Sequence, residues 1–213
     1  MAVDLDKLVA PGICALVVSE LQRDVVGDLS KLPELRAAAG GAVANSARLV
    51  SAAHRARVQV VHCTAVTRAD RVGANTNTRL SVALARRHAS TALPADPNEA
   101  ASVVPEIDVT SEDVVLSRLA GMSPMTDTGL DSLLRNLGVT TVVVAGVSLN
   151  VAIPNAVMDA VNRGYRVVVA KDAVAGTPSG YADEMLRHTI GYLAFITTTA
   201  ELAEAWESAA KRP

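Results

Sequence analysis

Aromatic side chains are almost absent: one Trp, one Phe and three Tyr make up 2% of 213 residues, although 50% of the chain is hydrophobic. Its core must therefore be built from Val, Ala and Leu, as in parallel sheets covered by helices on both faces, and the expected fold class is α/β. Neither charge is in excess, with 20 basic and 22 acidic residues and a net charge of −2. No Lys/Arg cluster is interleaved with aromatics, so nucleic acid is not an expected partner. Two cysteines, Cys14 and Cys63, are too few for a disulfide framework. No apolar run reaches the length of a membrane span, and the opening MAVDLDKLVAPG lacks a basic region followed by an apolar one. The expectation is a cytoplasmic protein with no membrane partner. With no composition shift, internal repeat or low-complexity tract, residues 1–213 are read as a single domain.

The most informative stretch is TTVVVAGVSLNVAIPNAVMDAVNRGYRVVVAKDAVAGT, residues 140–177. Thr141 to Ala145 form a β-branched run without a polar break, so a buried strand is expected to end at Gly146. The following helix has Val151, Val157, Met158 and Val161 at spacings that place them on one side, with Pro154 in its first turn and Gly164 as its stop. Tyr165 to Ala170 then begin a second strand. Such a strand, helix, strand unit is a right-handed crossover, and ligands bind at the carboxyl ends of its strands. A site is therefore expected at Val147 to Ala152, where helix N-terminal N–H groups face a ligand oxygen.

Along the rest of the chain, Ile13 to Ser19 is an apolar strand that delivers Glu20, Leu21, Gln22, Arg23 and Asp24 to its carboxyl end. Leu32 to Arg57 is helical in composition, and Val58 to Val61 is a strand that ends in His62 and Cys63. These two neighbours point to opposite faces, and no nearby ligand completes a set, so no metal is expected. His54 and His88 stand beside arginines and are expected to be solvated. Thr64 to Val104 is the least regular part, with an amphipathic stretch Leu80 to His88 and a loop from Pro94 to Ser102; it is either a lid or a disordered connection. Val114 to Leu116 is a strand followed by Ser117, Arg118 and Leu119. Asp127 or Thr128 can cap a helix that carries Leu130, Leu133, Leu134 and Leu137 and stops at Gly138. Asp172 ends the fifth strand. Ala182 to Gly191, containing His188, is a helix, Phe195 to Thr199 a last strand and Glu201 to Lys211 a last helix.

One local motif suggests a nucleophile. Gly146-Val147-Ser148-Leu149-Asn150 lies between strand and helix as a nucleophile elbow does, and Asp172 and His188 follow in the order of a serine triad. The second glycine of that motif is missing, and only 16 residues separate Asp172 from His188.

Four segments taken together resemble the isochorismatase-like hydrolase family of the cysteine hydrolase superfamily. ALVVSELQRDVVG resembles its first strand and D-x-Q-x-D-F ending. DVVLSRLAGMSPMTDTGLDSLLRNLGVTTVVVAGV resembles its lysine strand, S-A-F-x-G-T-x-L segment and next helix. NVAIPNAVMDAVNRGYRVVVAKDAVAGT and HTIGYLAFITTTAEL resemble its nucleophile helix and its closing helix and strand. The resemblance implies a three-layer α/β/α, Rossmann-like fold with a mostly parallel central sheet. It also implies assembly as a homodimer or homotetramer. Family amidases use an aspartate, a lysine and a cysteine. The matching positions here hold Glu20, either Leu119 without a gap or Arg118 with one residue inserted, and Ala152. Alanine cannot attack a carbonyl, and neither Leu nor Arg replaces a lysine. Cys63 is the one thiol that could approach from another strand end. A cis peptide at Val147-Ser148, with an oxyanion hole made by the amides of Ser148 and Ala152, is further implied. Gln22, Leu119, Val147, Ser148 and Asn150 are the expected ligand-binding residues. The nicotinamidase Asp-x-His ligands are absent from HCTAVTRAD. No cofactor is expected.

Three readings follow from these residues. In one, the protein is a pseudoenzyme that binds a small molecule or a partner. In another, it is a cysteine-independent hydrolase that cleaves a vinyl ether with Glu20 as general acid. In a third, it is a serine hydrolase acting through Ser148. Three departures at three catalytic positions favour the first.

Overall fold

The computed structural model describes residues 4–89 and 96–210, and the side chains of residues 87–89, His88 among them, lie outside those described. Part of the loop expected from Pro94, and Lys211, also lie outside. In chain order the elements are α1 (Leu5–Leu8), β1 (Cys14–Ser19), α2 (Pro33–Ala56), β2 (Gln59–Ala65), α3 (Arg79–Ala89), α4 (Pro97–Ala100) and β3 (Val114–Arg118). There follow α5 (Leu130–Asn136), β4 (Thr141–Val147), α6 (Ala152–Asn162), β5 (Arg166–Ala175) and α7 (Ser179–Met185). A π-helical turn (Leu186–Ile190), α8 (Gly191–Leu193), β6 (Phe195–Thr197) and α9 (Thr199–Ala210) close the chain.

The six strands form one sheet in the order β3-β2-β1-β4-β5-β6, and every neighbouring pair is parallel. Strand alternation sorts the core into two layers. Leu16, Val18, Val60, Val143 and Val168 face α2 and α9, whose Leu49, Val50, Leu202 and Trp206 cover them. Ala15, Val17, Val61, Val142 and Val167 face the other way, onto Leu130 and Leu134 of α5 and Ile153 and Val157 of α6. The strands of β1 and β4 are buried along their whole length, which is why both read as continuous apolar runs. Trp206 is fully buried, and its indole N–H donates to the Val9 carbonyl at 3.0 Å. No helix of the described residues is long and apolar enough to cross a membrane.

Several local expectations are corrected. Met158 is 41% exposed, because the buried side of α6 is made by Ala152, Ile153, Ala156, Val157 and Ala160. Met158 follows Val157 by one position, about 100° around the helix, which puts it off the buried side. The helix α5 is led by Gly129 in a left-handed conformation, and Thr128 helps it by accepting from the Leu130 N–H at 3.2 Å. β2 continues through His62 and Cys63, and β5 continues past Asp172 to Ala175.

Candidate functional site

Parallel pairing brings the carboxyl ends of the strands to one edge. Ser19 lies opposite both Cys63 and Gly146, and Ala65 lies opposite Arg118, so Glu20, Cys63, Arg118 and the loop after Gly146 converge. Glu20 leaves β1 with φ 52 and donates its N–H to the Cys63 carbonyl at 2.8 Å. That left-handed backbone is uncommon for a side-chain-bearing residue and marks an abrupt turn out of the sheet. Beside it Gly146 has φ +108, and a Cβ there would stand 2.1 Å from the Ser19 carbonyl oxygen. Only glycine fits. The next peptide bond, Val147–Ser148, is cis.

Arg118 is the residue brought to Glu20. Its Nη2 donates to Glu20 Oε1, and the two side chains are 7% and 16% exposed. Its Nε reaches the Gly121 carbonyl at 3.4 Å, while Nη1 is buried and has no partner among the described residues. Burial pushes the Glu20 carboxyl above the usual carboxylate range, and the Arg118 charge pulls against that push. Leu119 is on the outside: it is 53% exposed and lines a cavity of about 420 Å³ with Val66, Arg68, Asp70, Pro97 and Asn98. Of the two alternatives at the end of β3, it is therefore Arg118 that meets Glu20.

Ala152 opens α6 and is 2% exposed, and no side chain caps the helix. The Ser148 carbonyl accepts from the Val151 and Ile153 N–H groups, which folds the loop onto the first helical turn. Asn155 donates to the Val151 carbonyl and Pro154 has no N–H, so the Ala152 N–H is the one donor of that turn without a backbone partner among the described residues. Cys63 lies under the Glu20–Arg118 pair, fully enclosed, and burial pushes its thiol up to about 12. A thiol so protonated is no nucleophile at neutral pH.

Three expected ligand-binding side chains are turned to other tasks. Val147 is fully buried in the layer that faces α2. Gln22 is also fully buried. Its Oε1 accepts from the Ala65 N–H at 2.8 Å, and its Nε2 donates to the Ala65 carbonyl at 2.8 Å and to Asp24 at 2.6 Å. It ties the end of β1 to the end of β2. Asn150 clasps Thr177 in the same way, accepting from its N–H at 2.9 Å and donating to its carbonyl at 2.5 Å. These amides shape the rim, each bonded to both the N–H and the carbonyl of a single residue. Ser148 remains at the edge, half-buried.

The serine arrangement does not assemble. Asp172 accepts from the Thr199 N–H and hydroxyl at 2.8 and 3.0 Å, capping α9. His188 is 59% exposed and pairs with Glu184 at 3.1 Å. Neither is oriented by the other as a triad requires, and no hydrogen bond joins the Ser148 hydroxyl to a base among the described residues.

One cluster had no signal in the sequence. His54 Nε2 lies 2.7 Å from Asp113 Oδ1, and His62 Nε2 lies 3.2 Å from Asp113 Oδ2. His54 is thus a partner of a buried carboxylate and not a solvated helix residue. The three residues tie α2, β2 and the start of β3 together. His54 and Asp113 line a cavity of about 210 Å³ beside Gly12, Cys14, Val58, Gln59 and Val139, at the amino-terminal end of the sheet. They stand at the opposite end from Glu20. Burial keeps His62 neutral by lowering its pKa, against the pull of Asp113. For Asp113 burial acts to raise the pKa, but the Thr110 N–H and the two histidines together hold it below the usual range. No group of three His, Cys, Asp or Glu among the described residues is arranged to hold a metal ion.

The family model of the isochorismatase domain matches residues 14–201. An isochorismatase family protein from Burkholderia thailandensis is 26% identical, with a TM-score of 0.74, and the match covers 92% of this chain and 96% of that one. A cysteine hydrolase from Pseudomonas syringae pv. phaseolicola is 25% identical, with a TM-score of 0.77, covering 95% and 96%. The N-carbamoylsarcosine amidase of Thermoplasma acidophilum shares the fold at 24% identity and a TM-score of 0.67, covering 88% and 96%. No curated protein matches.

Proposed function

This chain belongs to the isochorismatase family, and we propose that it is a pseudoenzyme that keeps the family fold, binds a small molecule at the carboxyl edge of the sheet and has lost turnover. The observation that carries this reading is the Glu20–Arg118 ion pair. The Glu20 carboxyl, raised by burial against the pull of Arg118, is bonded to a guanidinium that does not give up its proton, so the pair has no group to play the part of a lysine. Ala152 has no atom that can attack. The enclosed thiol of Cys63 adds no substitute. The Ala152 N–H at the start of α6 is a backbone donor independent of side-chain identity, and it supports a remaining binding capacity.

A second reading has one observation in its favour. Burial raises the Glu20 pKa, as a general acid for vinyl ether cleavage requires. The two readings differ in turnover of isochorismate and other vinyl ethers, aryl amides and N-carbamoyl compounds by wild type and Glu20→Gln. The pseudoenzyme reading expects no turnover by either protein, with a raised melting temperature for compounds that bind. Turnover of a vinyl ether by wild type and not by Glu20→Gln would replace it with acid catalysis. Assembly as a homodimer or homotetramer belongs to the same proposal, and light scattering that finds only a monomer would remove it.

A further inference from the structure

The geometry points to a second binding site, at the amino-terminal end of the sheet, that takes a small zwitterionic amino acid with an apolar side chain. Arg57 holds the carboxylate of this ligand, and Glu112 with His54 holds its ammonium group. The site is separate from the carboxyl edge, and it stands or falls independently of the reading given for that edge.

The cavity of about 210 Å³ at this end is lined by charges of opposite sign that nothing neutralises. Arg57 and Glu112 both line it, and among the described residues neither side chain has an ion-pair or hydrogen-bond partner. They do not pair with each other either. Both backbones are nevertheless held in place. Arg57 is the left-handed residue that ends α2, with φ 56, and its N–H donates to the His54 carbonyl at 3.1 Å. The Glu112 carbonyl accepts from Gln59 Nε2 at 3.0 Å, and its N–H donates to Thr110 Oγ1 at 3.3 Å. Positions fixed before a ligand arrives reduce the ordering cost of binding it.

Their spacing follows from the sheet. Val61 pairs with Val114, and the same register carried back sets Glu112 opposite Gln59, two residues after Arg57. Two residues along one strand and one strand across place the two backbones roughly 8 Å apart. Their side chains therefore reach one small molecule from two directions.

The wall between them supplies an acceptor. Asp113 is fully engaged, since it accepts from the Thr110 N–H at 3.1 Å and stands 2.7 Å from His54 Nε2 and 3.2 Å from His62 Nε2. A carboxylate only accepts, so the His54 proton on that side is directed at Asp113 and Nδ1 is left as the acceptor of a neutral ring. With Glu112 and the negative end of the 24-residue α2, it favours an ammonium group.

Charge and size select the class. A simple carboxylate would meet Arg57 but also Glu112, and a simple amine would meet the reverse; a zwitterion answers both. Val60, Val139 and Leu137 give the cavity an apolar lining for a side chain. At about 30 Å³ for each water-sized unit, the volume holds roughly seven non-hydrogen atoms, close to the size of valine.

The test is calorimetric titration of the full chain with L-valine, with valinamide, which keeps only the ammonium, and with isovalerate, which keeps only the carboxylate. Valine is expected to bind at least tenfold tighter than either. Arg57→Asn should weaken valine at least fivefold and leave valinamide within twofold, and Glu112→Gln should weaken valine equally and leave isovalerate within twofold. Both positions are exposed, and asparagine tolerates the left-handed backbone of residue 57, so both variants keep the fold. Binding of valinamide or isovalerate as tight as that of valine overturns the zwitterion assignment. Valine affinity unchanged in both variants places the ligand elsewhere and overturns the site. Absence of valine binding overturns the proposal outright and leaves the reading of the carboxyl edge untouched.

Discussion

Glu20 and Arg118, 98 residues apart in the chain, form an ion pair across the carboxyl ends of β1 and β3. Removing one member leaves the other charge with little solvent. Arg118→Met is expected to cost about 3 kcal/mol, the low end for a broken buried pair, while Glu20→Gln with Arg118→Met costs less than the single change. Without the arginine, burial alone acts on Glu20 and raises its pKa further in the folded state. A raised carboxyl pKa gives stability that is present at low pH and lost as pH rises. The Arg118→Met penalty should therefore grow from pH 4 to pH 8 in urea titrations, and a pH-independent penalty would contradict the pairing.

Ala152→Cys places a thiol at the N-terminus of α6, where the helix dipole lowers a thiol pKa. Iodoacetamide should alkylate this variant below pH 7 and leave Cys14 and Cys63 unmodified, since burial pushes both of those thiols up to about 12. No amide turnover is expected to accompany the labelling, because Arg118 cannot take the place of a lysine. Restored amidase activity would show that Ala152 alone separates this chain from its relatives.

Burial, opposed by the bond from Gln22, pushes the Asp24 carboxyl up to about 6. The folded state then binds this proton more tightly than the unfolded state, whose value is near 3.8. The resulting stability is fully present below about pH 4 and is lost as pH rises through 6. Asp24→Asn keeps an acceptor for Gln22 and carries no charge. Its unfolding free energy should exceed that of wild type at pH 8 by about 3 kcal/mol, and its melting temperature with it, with the gain gone at pH 4. Equal melting temperatures at pH 8 would mean that Asp24 is not desolvated.

The His54–Asp113–His62 cluster acts in the opposite direction. His62 is neutral in the fold with a lowered pKa, and the stability tied to it is present above pH 6.5 and lost as pH falls below. Asp113, also lowered, adds a second loss below its unfolded value of 3.8. Asp113→Asn, which leaves one histidine N–H without an acceptor, is expected to cost about 2 kcal/mol at pH 7. That cost should shrink toward pH 3, where wild type has lost the same contacts. A constant cost across this range would exclude the carboxylate as its source.

What could be read from the sequence was local and periodic. β1 and β4 are continuous apolar runs because both of their faces are covered, and parallel pairing sets Gly146 opposite Ser19, the residue before Glu20. The choice between Arg118 and Leu119 needed register, since one residue of shift reverses the face of a strand. Gln22 and Asn150 looked like ligand contacts because they sit at the edge, but their amides match single backbone peptides at Ala65 and Thr177, which no spacing reveals. The Asp113 cluster joins residues separated by 51 and 59 positions, and its members have unremarkable neighbours. Met158 faces outward because the buried side of α6 is made largely of alanines, which a reading of the larger apolar residues alone passes over.

The lone indole gives this protein an optical reporter of its own. Trp206 is sealed against Val9 on the side of the sheet away from α6, so its emission registers whether the last helix is docked on the first segment of the chain. Occupancy of the carboxyl edge, sensed on the other side, should leave that emission unchanged. A single fluorescence trace can therefore tell a variant that has lost its ligand from one that has lost its fold.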